Sequence, residues 1–172
     1  MSYVPSHRPS TGEELGQPNA LTAIEHTGST TQTISVGNKV EIGTVHNWYG
    51  SFTPTISSDV ITLPSGYWYY LETAVQSYCV GTLAANMYFT FQHYDETANS
   101  NIGTVATNYG QYGASEDNYN FARDASAKLL IDATSAAKDI SIKVISFTDY
   151  DRINYNSGQL YSGLGRTIIW QL

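Results

Sequence analysis

An all-β fold, an antiparallel β-sandwich of jelly-roll type with an extended N-terminal arm, is what this sequence predicts, on three observations. Short segments of alternating apolar and polar residues recur between Gly, Pro and Asn breaks, and no stretch carries a convincing helical period. Only 13% of the 172 residues are charged, and Tyr, Thr, Ser, Asn and Gly are abundant, so helical surface formers are scarce. The stretch ITLPSGYWYYLETAVQ, Ile61 to Gln76, reads as a short strand, a tight turn and a long aromatic strand in a hairpin.

The elements follow in order. Residues 1–30 form the expected arm. Three of the five prolines, Pro5, Pro9 and Pro18, lie here with Gly12 and Gly16, and few apolar residues accompany them. Such a segment cannot pack a core of its own. It is either disordered or draped on a partner. Residues 31–172 form the expected sandwich. TQTISVG places Ile34 and Val36 on one face, KVEIG places Val40 and Ile42 on one face, and Gly37-Asn38 between them is a tight-turn candidate. HNWYGSFTPTI adds a further β segment.

In the Pro64-Ser65-Gly66 turn, proline fixes its own φ and glycine takes positive φ without steric cost. Beyond it Tyr67, Tyr69, Leu71, Thr73 and Val75 alternate with Trp68, Tyr70, Glu72, Ala74 and Gln76, which puts the two sets on opposite faces. One face must be buried; the other is amphipathic. NMYFTFQHY is a core strand, with Met87, Phe89, Phe91 and His93 on one side. Asp95 to Asn120, rich in Asn, Gly, Tyr and acidic residues, reads as a long connection with one short strand near Ile102 and Val105. AKLLID and DISIKVISFTD follow. In the latter, Ile140, Ile142 and Val144 alternate before Ile145 and Phe147 change parity, which predicts a bulge near Val144 to Ser146 or a strand covered on both faces. RTIIWQL is a last strand.

The pattern apolar-Thr-Leu-Pro-Ser-Gly-Tyr-aromatic-aromatic resembles the tumour-necrosis-factor and complement-globular-head jelly rolls. There a Pro/Gly turn leads into an aromatic strand, carried here by Gly66, Tyr67 and Tyr69. The order of strands resembles that family over Val40 to Leu172; the match in sequence is confined to Ile61 to Leu71, and the Asn/Gly/Tyr-rich connection departs from the family layout. The resemblance implies a homotrimer packed through the aromatic and aliphatic face of one sheet, with Trp68, Tyr70 and Trp170 at the interface.

Chemistry has no visible seat. His7, His26, His46 and His93 sit on separate segments without the i, i+4 spacing of a zinc helix, and His93 beside Phe91 reads as a packed core histidine. Asp95-Glu96, Glu116-Asp117 and Asp149-Tyr150-Asp151 lack a calcium-loop pattern and read as solvated turns. There is no nucleophile elbow or phosphate loop, and Cys79 in SYCVGTL, with no basic neighbour, reads as a small buried thiol. No catalytic residue, metal or cofactor is expected.

A net charge of −7 with eight scattered Lys and Arg argues against nucleic acid as partner. One cysteine excludes an internal disulfide and suits a reducing compartment. No apolar run approaches a membrane span or a signal peptide, so neither a membrane nor export by that route is expected. Fourteen tyrosines suit either strand propensity or a surface where a ring packs and its hydroxyl stays wet.

Jelly rolls of this resemblance recur among tailed-bacteriophage virion proteins. The expected function is therefore a head decoration, or cement, protein, made in the host cytoplasm and placed on the capsid surface. Its partner is the major capsid protein, met through Tyr3, Val4, Pro5, Arg8, Leu15, Leu21 and Ile24 of the arm. The alternative is a receptor- or glycan-binding tip of a head or tail fibre, in which Trp48, Tyr109 and Tyr112 meet host surface glycan. A glycan-processing enzyme on the same scaffold is a third reading.

Overall fold

The computed structural model describes residues 19–26, 31–33, 35–43, 45–50, 52–75, 77–80, 87–110, 119–122, 125–148, 152–154 and 165–172. They form fourteen strands and no helix. In chain order these are β1 (Ala20–Glu25), β2 (Thr31–Thr33), β3 (Val45–Tyr49), β4 (Thr55–Ser57), β5 (Val60–Leu63), β6 (Trp68–Ala74) and β7 (Ser77–Val80). They continue as β8 (Met87–Asp95), β9 (Ser100–Gly110), β10 (Tyr119–Ala122), β11 (Ser126–Asp132), β12 (Lys138–Thr148), β13 (Arg152–Asn154) and β14 (Arg166–Gln171).

Two five-stranded antiparallel sheets make the sandwich, one in the order β11-β6-β14-β1-β3 and the other β4-β5-β12-β8-β9. A four-stranded sheet, β10-β7-β13-β2, accompanies them. Alternation dictates the layers. Tyr69, Leu71, Thr73 and Val75 are fully buried while Trp68, Tyr70, Glu72 and Ala74 between them are not, the period-two pattern read from the sequence. Ile24 and Ile169 add to that inner face, and Ile61, Leu63, Phe89, Phe91, Ile140 and Ile142 face them from the second sheet in one contiguous core. Full burial of such a side chain contributes about 1.5–3 kcal/mol.

Several expectations are corrected. Leu21 and Ile24 do not belong to an arm. They lie in β1, hydrogen-bonded between β14 and β3, and Ile24 is fully buried, so the sandwich begins at Ala20 rather than at Thr31. Tyr3, Val4, Pro5, Arg8 and Leu15 lie outside the described residues.

Nor is the Pro64-Ser65-Gly66 turn a hairpin. β5 pairs with β4 and β12, whereas β6 pairs with β11 and β14, so the turn carries the chain from one sheet to the other. Leu63 and Tyr69, both fully buried, thereby enter the core from opposing sheets. The corner is tied down on both sides. Gly66, at φ 105°, donates its N–H to the Ala133 carbonyl, Ala133 donates back to Tyr67, and the Tyr69 hydroxyl donates to the Pro64 carbonyl at 3.0 Å.

The polar stretch from Asp95 to Gly110 is no loose connection either. A turn in which Asp95 Oδ1 accepts the N–H groups of Thr97 and Ala98 leads into the eleven residues of β9, paired along β8. β9 looks loop-like in sequence because it is an edge strand, most of whose side chains face solvent; Ala106 and Asn108 are buried.

Val40 and Ile42 are buried as expected, but their segment forms a single bridge, Lys39 to Lys143, rather than a strand. Gly37, Asn38 and Val40 exchange backbone hydrogen bonds with Val144 and Ile142, covering the part of β12 that the short β5 does not reach. Val36 is exposed at the Ser35–Asn38 turn instead of sharing a core face, and Ile34 lies outside the described residues. The bulge does occur where the parity changes: β12 slips register against β8 between Val144 and Ser146, which turns Phe147 back onto the core.

Candidate functional site

The outward face of the first sheet carries the strongest surface feature. Register aligns Leu130 of β11 with Tyr70 of β6, Tyr70 with Trp170 of β14, and Trp170 with Leu21 of β1. An aromatic and aliphatic row thus crosses four strands. Tyr70 and Trp170 touch, with ring centroids 5.2 Å apart and a 49° tilt, and Leu130 is 58% exposed at the sheet edge. Trp68, 44% exposed, stands two residues from Tyr70 on the same face, and Ile168 extends the apolar surface along β14. Beside the row, Lys128 is register-paired with Glu72, and Glu72 accepts a hydrogen bond from Ser126 at 2.8 Å. A contiguous apolar surface with a polar flank is the form of an interaction site.

The structure therefore brings Trp68, Tyr70 and Trp170 together on one face, and adds Leu130, Ile168 and Leu21. The signal for Leu130 lay in the alternation of AKLLID, whose second leucine has the parity opposite to Leu129. That Leu21 joins the face needed the register of β1, which its sequence does not declare.

Trp48 and Tyr109 are not brought together. Trp48 lies on β3, the edge of the first sheet farthest from β11, while Tyr109 lies on β9 of the second sheet, the strand that packs beside β11. The strand order thus sets the two residues on different sheets. Tyr109 is 73% exposed and register-paired with Tyr88; Tyr112 lies outside the described residues.

On the inward side of the same sheet, three register positions along β6 and β14 from the row, runs a buried polar chain that sequence reading missed. His26 Nε2 lies 3.0 Å from the Thr167 hydroxyl, Thr167 2.8 Å from the Thr73 hydroxyl, and Thr73 2.9 Å from His93 Nε2. His26 follows β1, Thr167 and Thr73 are register partners on β14 and β6, and His93 reaches across from β8 of the second sheet. All four side chains are buried. Burial depresses both imidazoles, His26 to about 3, helped by the neighbouring His93, and His93 to about 4, so both are neutral at pH 7. His93 is the packed, hydrogen-bonded residue expected of it; nothing in the spacing of residues 26, 73, 93 and 167 signals that they meet.

On the outward face of the second sheet, Glu96 receives Lys39 Nζ at 3.3 Å and Lys143 Nζ at 3.7 Å, and Ser141 donates to it at 2.5 Å. Lys143 Nζ also sits 3.2 Å from the centre of the Tyr94 ring. Burial pushes the Glu96 carboxyl upward, but Ser141, Lys39 and Lys143 outweigh it and hold the group below the usual carboxylate range. This cluster clasps the Lys39 segment onto β12. Among the described residues no three His, Cys, Asp or Glu side chains gather as metal ligands. Asp149, Asp151, Glu116 and Asp117 lie outside those residues, as does the side chain of Cys79.

No protein-family model and no curated protein matches the sequence. Among solved structures the chain is similar to Eiger TNF from S. frugiperda, with a TM-score of 0.51 and 11% identity, covering 91% of this chain and 94% of that one. At that identity the likeness concerns the fold, and the fold of this chain is a TNF-like jelly-roll β-sandwich.

Proposed function

We propose that the protein is a self-associating structural module of a virus particle: a trimeric decoration protein on a bacteriophage head, where it stabilises the shell. The observation that carries the reading is the row Leu130, Tyr70, Trp170 and Leu21 across the outward face of the first sheet. Aromatic side chains supply large, stiff contact area at low entropic cost, and three linked copies multiply a modest contact with the shell. Residues 1–18, with Tyr3, Val4, Pro5, Arg8 and Leu15, are the segment assigned to the major capsid protein; Leu21 and Ile24 pass from that set to the sandwich.

The test has two arms. Mass in solution checks association: a threefold mass supports the reading and a monomer at micromolar concentration ends it. Binding to undecorated heads checks location, since deleting residues 1–18 is expected to abolish binding while the trimer persists. Saturation of heads by the truncated protein would overturn the assignment of that segment.

A second reading, a glycan-binding fibre tip, is favoured by Tyr109, which is exposed on the second sheet and is the register partner of Tyr88 on the neighbouring strand. It requires binding of the isolated protein to a glycan array, lost in Tyr109→Ala. No binding to any glycan, or binding unchanged in that variant, removes it.

A further inference from the structure

We propose that the chain His26–Thr167–Thr73–His93 is an acid-sensitive latch between the two sheets, closed while both imidazoles are neutral and opened when they take up protons. The geometry counts its own hydrogens. Three hydrogen bonds join four groups, and the two threonine hydroxyls supply two hydrogens. The third comes from one imidazole Nε2–H, and the other imidazole accepts at Nε2. A proton added to the accepting ring makes both ends donors. One threonine hydroxyl hydrogen is then left without an acceptor in the chain, and a charge sits in the core.

Among the described residues nothing nearby compensates that charge. Among the described residues β1, β9, β11, β12 and β14 turn only neutral side chains inward beside the chain, His26 itself aside. β8 adds Asp95, whose Oδ1 is held by the Thr97 and Ala98 N–H groups, and β6 adds Tyr69, whose hydroxyl donates to Pro64. Lys128, Glu72, Arg166 and Lys143 lie at outward positions of their strands, and His46 on β3 is exposed.

The second nitrogen of each ring is equally exposed to the problem. Neither His26 Nδ1 nor His93 Nδ1 meets a hydrogen-bond partner among the described residues. A Cβ on Gly165 would stand 2.6 Å from His26 Nδ1, so that side of the ring is closed by backbone. Because Thr73 and Thr167 are register partners near one end of the β6–β14 ladder and His93 belongs to the second sheet, losing the chain releases the sheets from one another at that end.

The sign follows from linkage. Both folded-state values lie below the ordinary 6.5, so the stabilisation is complete above pH 6.5 and is lost as the pH falls toward them. With two protons taken up on opening, the folding equilibrium constant drops up to about a hundredfold per pH unit, and about tenfold with one. The first part of this loss, between pH 6.5 and 5, lies above the range where ordinary carboxylates titrate.

The experiment is chemical denaturation of the full chain at pH 7, 6 and 5, for the wild type, His26→Gln, His93→Gln and the double variant. The expected result is a steep loss between pH 6 and 5 in the wild type, a shallower one in each single variant and a flat response in the double variant. A wild-type constant that changes less than about threefold over that unit, or an undiminished slope in the double variant, overturns the latch. Should the variants not fold, NMR of the wild-type imidazoles decides alone. Both buried rings are expected to stay neutral until the sheets separate; titration near 6.5 in an intact fold overturns it.

Discussion

Tyr70 and Trp170 are register partners on neighbouring strands, and their rings meet outside the sheet at 5.2 Å. A contact of that kind stabilises the subunit as well as preparing a surface for a partner. A double-mutant cycle with Tyr70→Ala and Trp170→Ala is expected to give a coupling of about 0.5–1.5 kcal/mol by urea denaturation of the isolated subunit. Additive effects would show that the pair contributes only through association.

Leu130 separates the two roles. Being exposed at the sheet edge, Leu130→Asp is expected to change subunit stability by no more than about 0.5 kcal/mol. It places a carboxylate in the apolar row, however, and is expected to weaken self-association at least tenfold by sedimentation equilibrium. Unchanged association would remove Leu130 from the interface.

The side of the sandwich where β9 meets β11 is closed by side chains rather than by a ladder. The Thr104 hydroxyl accepts the Lys128 N–H at 2.8 Å and lies 3.4 Å from the Lys128 carbonyl, and a Cβ on Gly103, at φ 73°, would lie 2.4 Å from that carbonyl. Gly103→Ala is expected to cost about 1–3 kcal/mol, from the clash and the positive φ together. Thr104→Val is expected to cost about 1 kcal/mol. Thermal denaturation measures both, and a neutral Gly103→Ala would mean that the two edges part freely.

Asn108 makes the companion tie, its Nδ2 donating to the Val75 carbonyl at 2.7 Å and its Oδ1 accepting from Ala125 at 3.2 Å. Asn108→Asp keeps the shape and replaces the donor with a buried carboxylate facing a carbonyl. A loss of about 2–4 kcal/mol is expected at pH 7, shrinking as the pH falls and the new carboxyl regains a hydrogen. A loss independent of pH would point to packing instead.

How much of this was legible beforehand depends on what each element's neighbours are. β6 was readable because its alternation has one buried parity, and the β12 bulge because Ile140 to Phe147 change parity within the strand. The corner at Pro64 was mistaken for a hairpin because local turn chemistry gives the bend and not the sheet to which the next strand belongs. β1 was hidden behind a proline-rich start, and β9 behind an edge strand's polar composition. Trp68, Tyr70 and Trp170 were visible as outward aromatics, whereas Leu21, Leu130 and the four-residue polar chain depend on register between strands far apart in sequence, as where Leu21 meets Trp170 and His26 meets Thr167.

Gly165 offers a separable packing test. A methyl group there would meet His26 Nδ1 at 2.6 Å and the Ala74 carbonyl at 3.2 Å. Gly165→Ala is expected to destabilise by about 1–3 kcal/mol, and by less when His26→Ser has removed the ring. Equal costs in both backgrounds would place the conflict at Ala74.

Interleaving of distant segments sets the course of folding. β14 lies between β6 and β1 in the first sheet, so neither neighbour can complete its ladder on that side before residues 166–171 arrive. Such a topology rewards the chain late, after large loops have closed, and folds on the slow side for its size. A nascent polypeptide lacking that last strand presents two unpaired edges at once, each able to capture the missing strand of another copy.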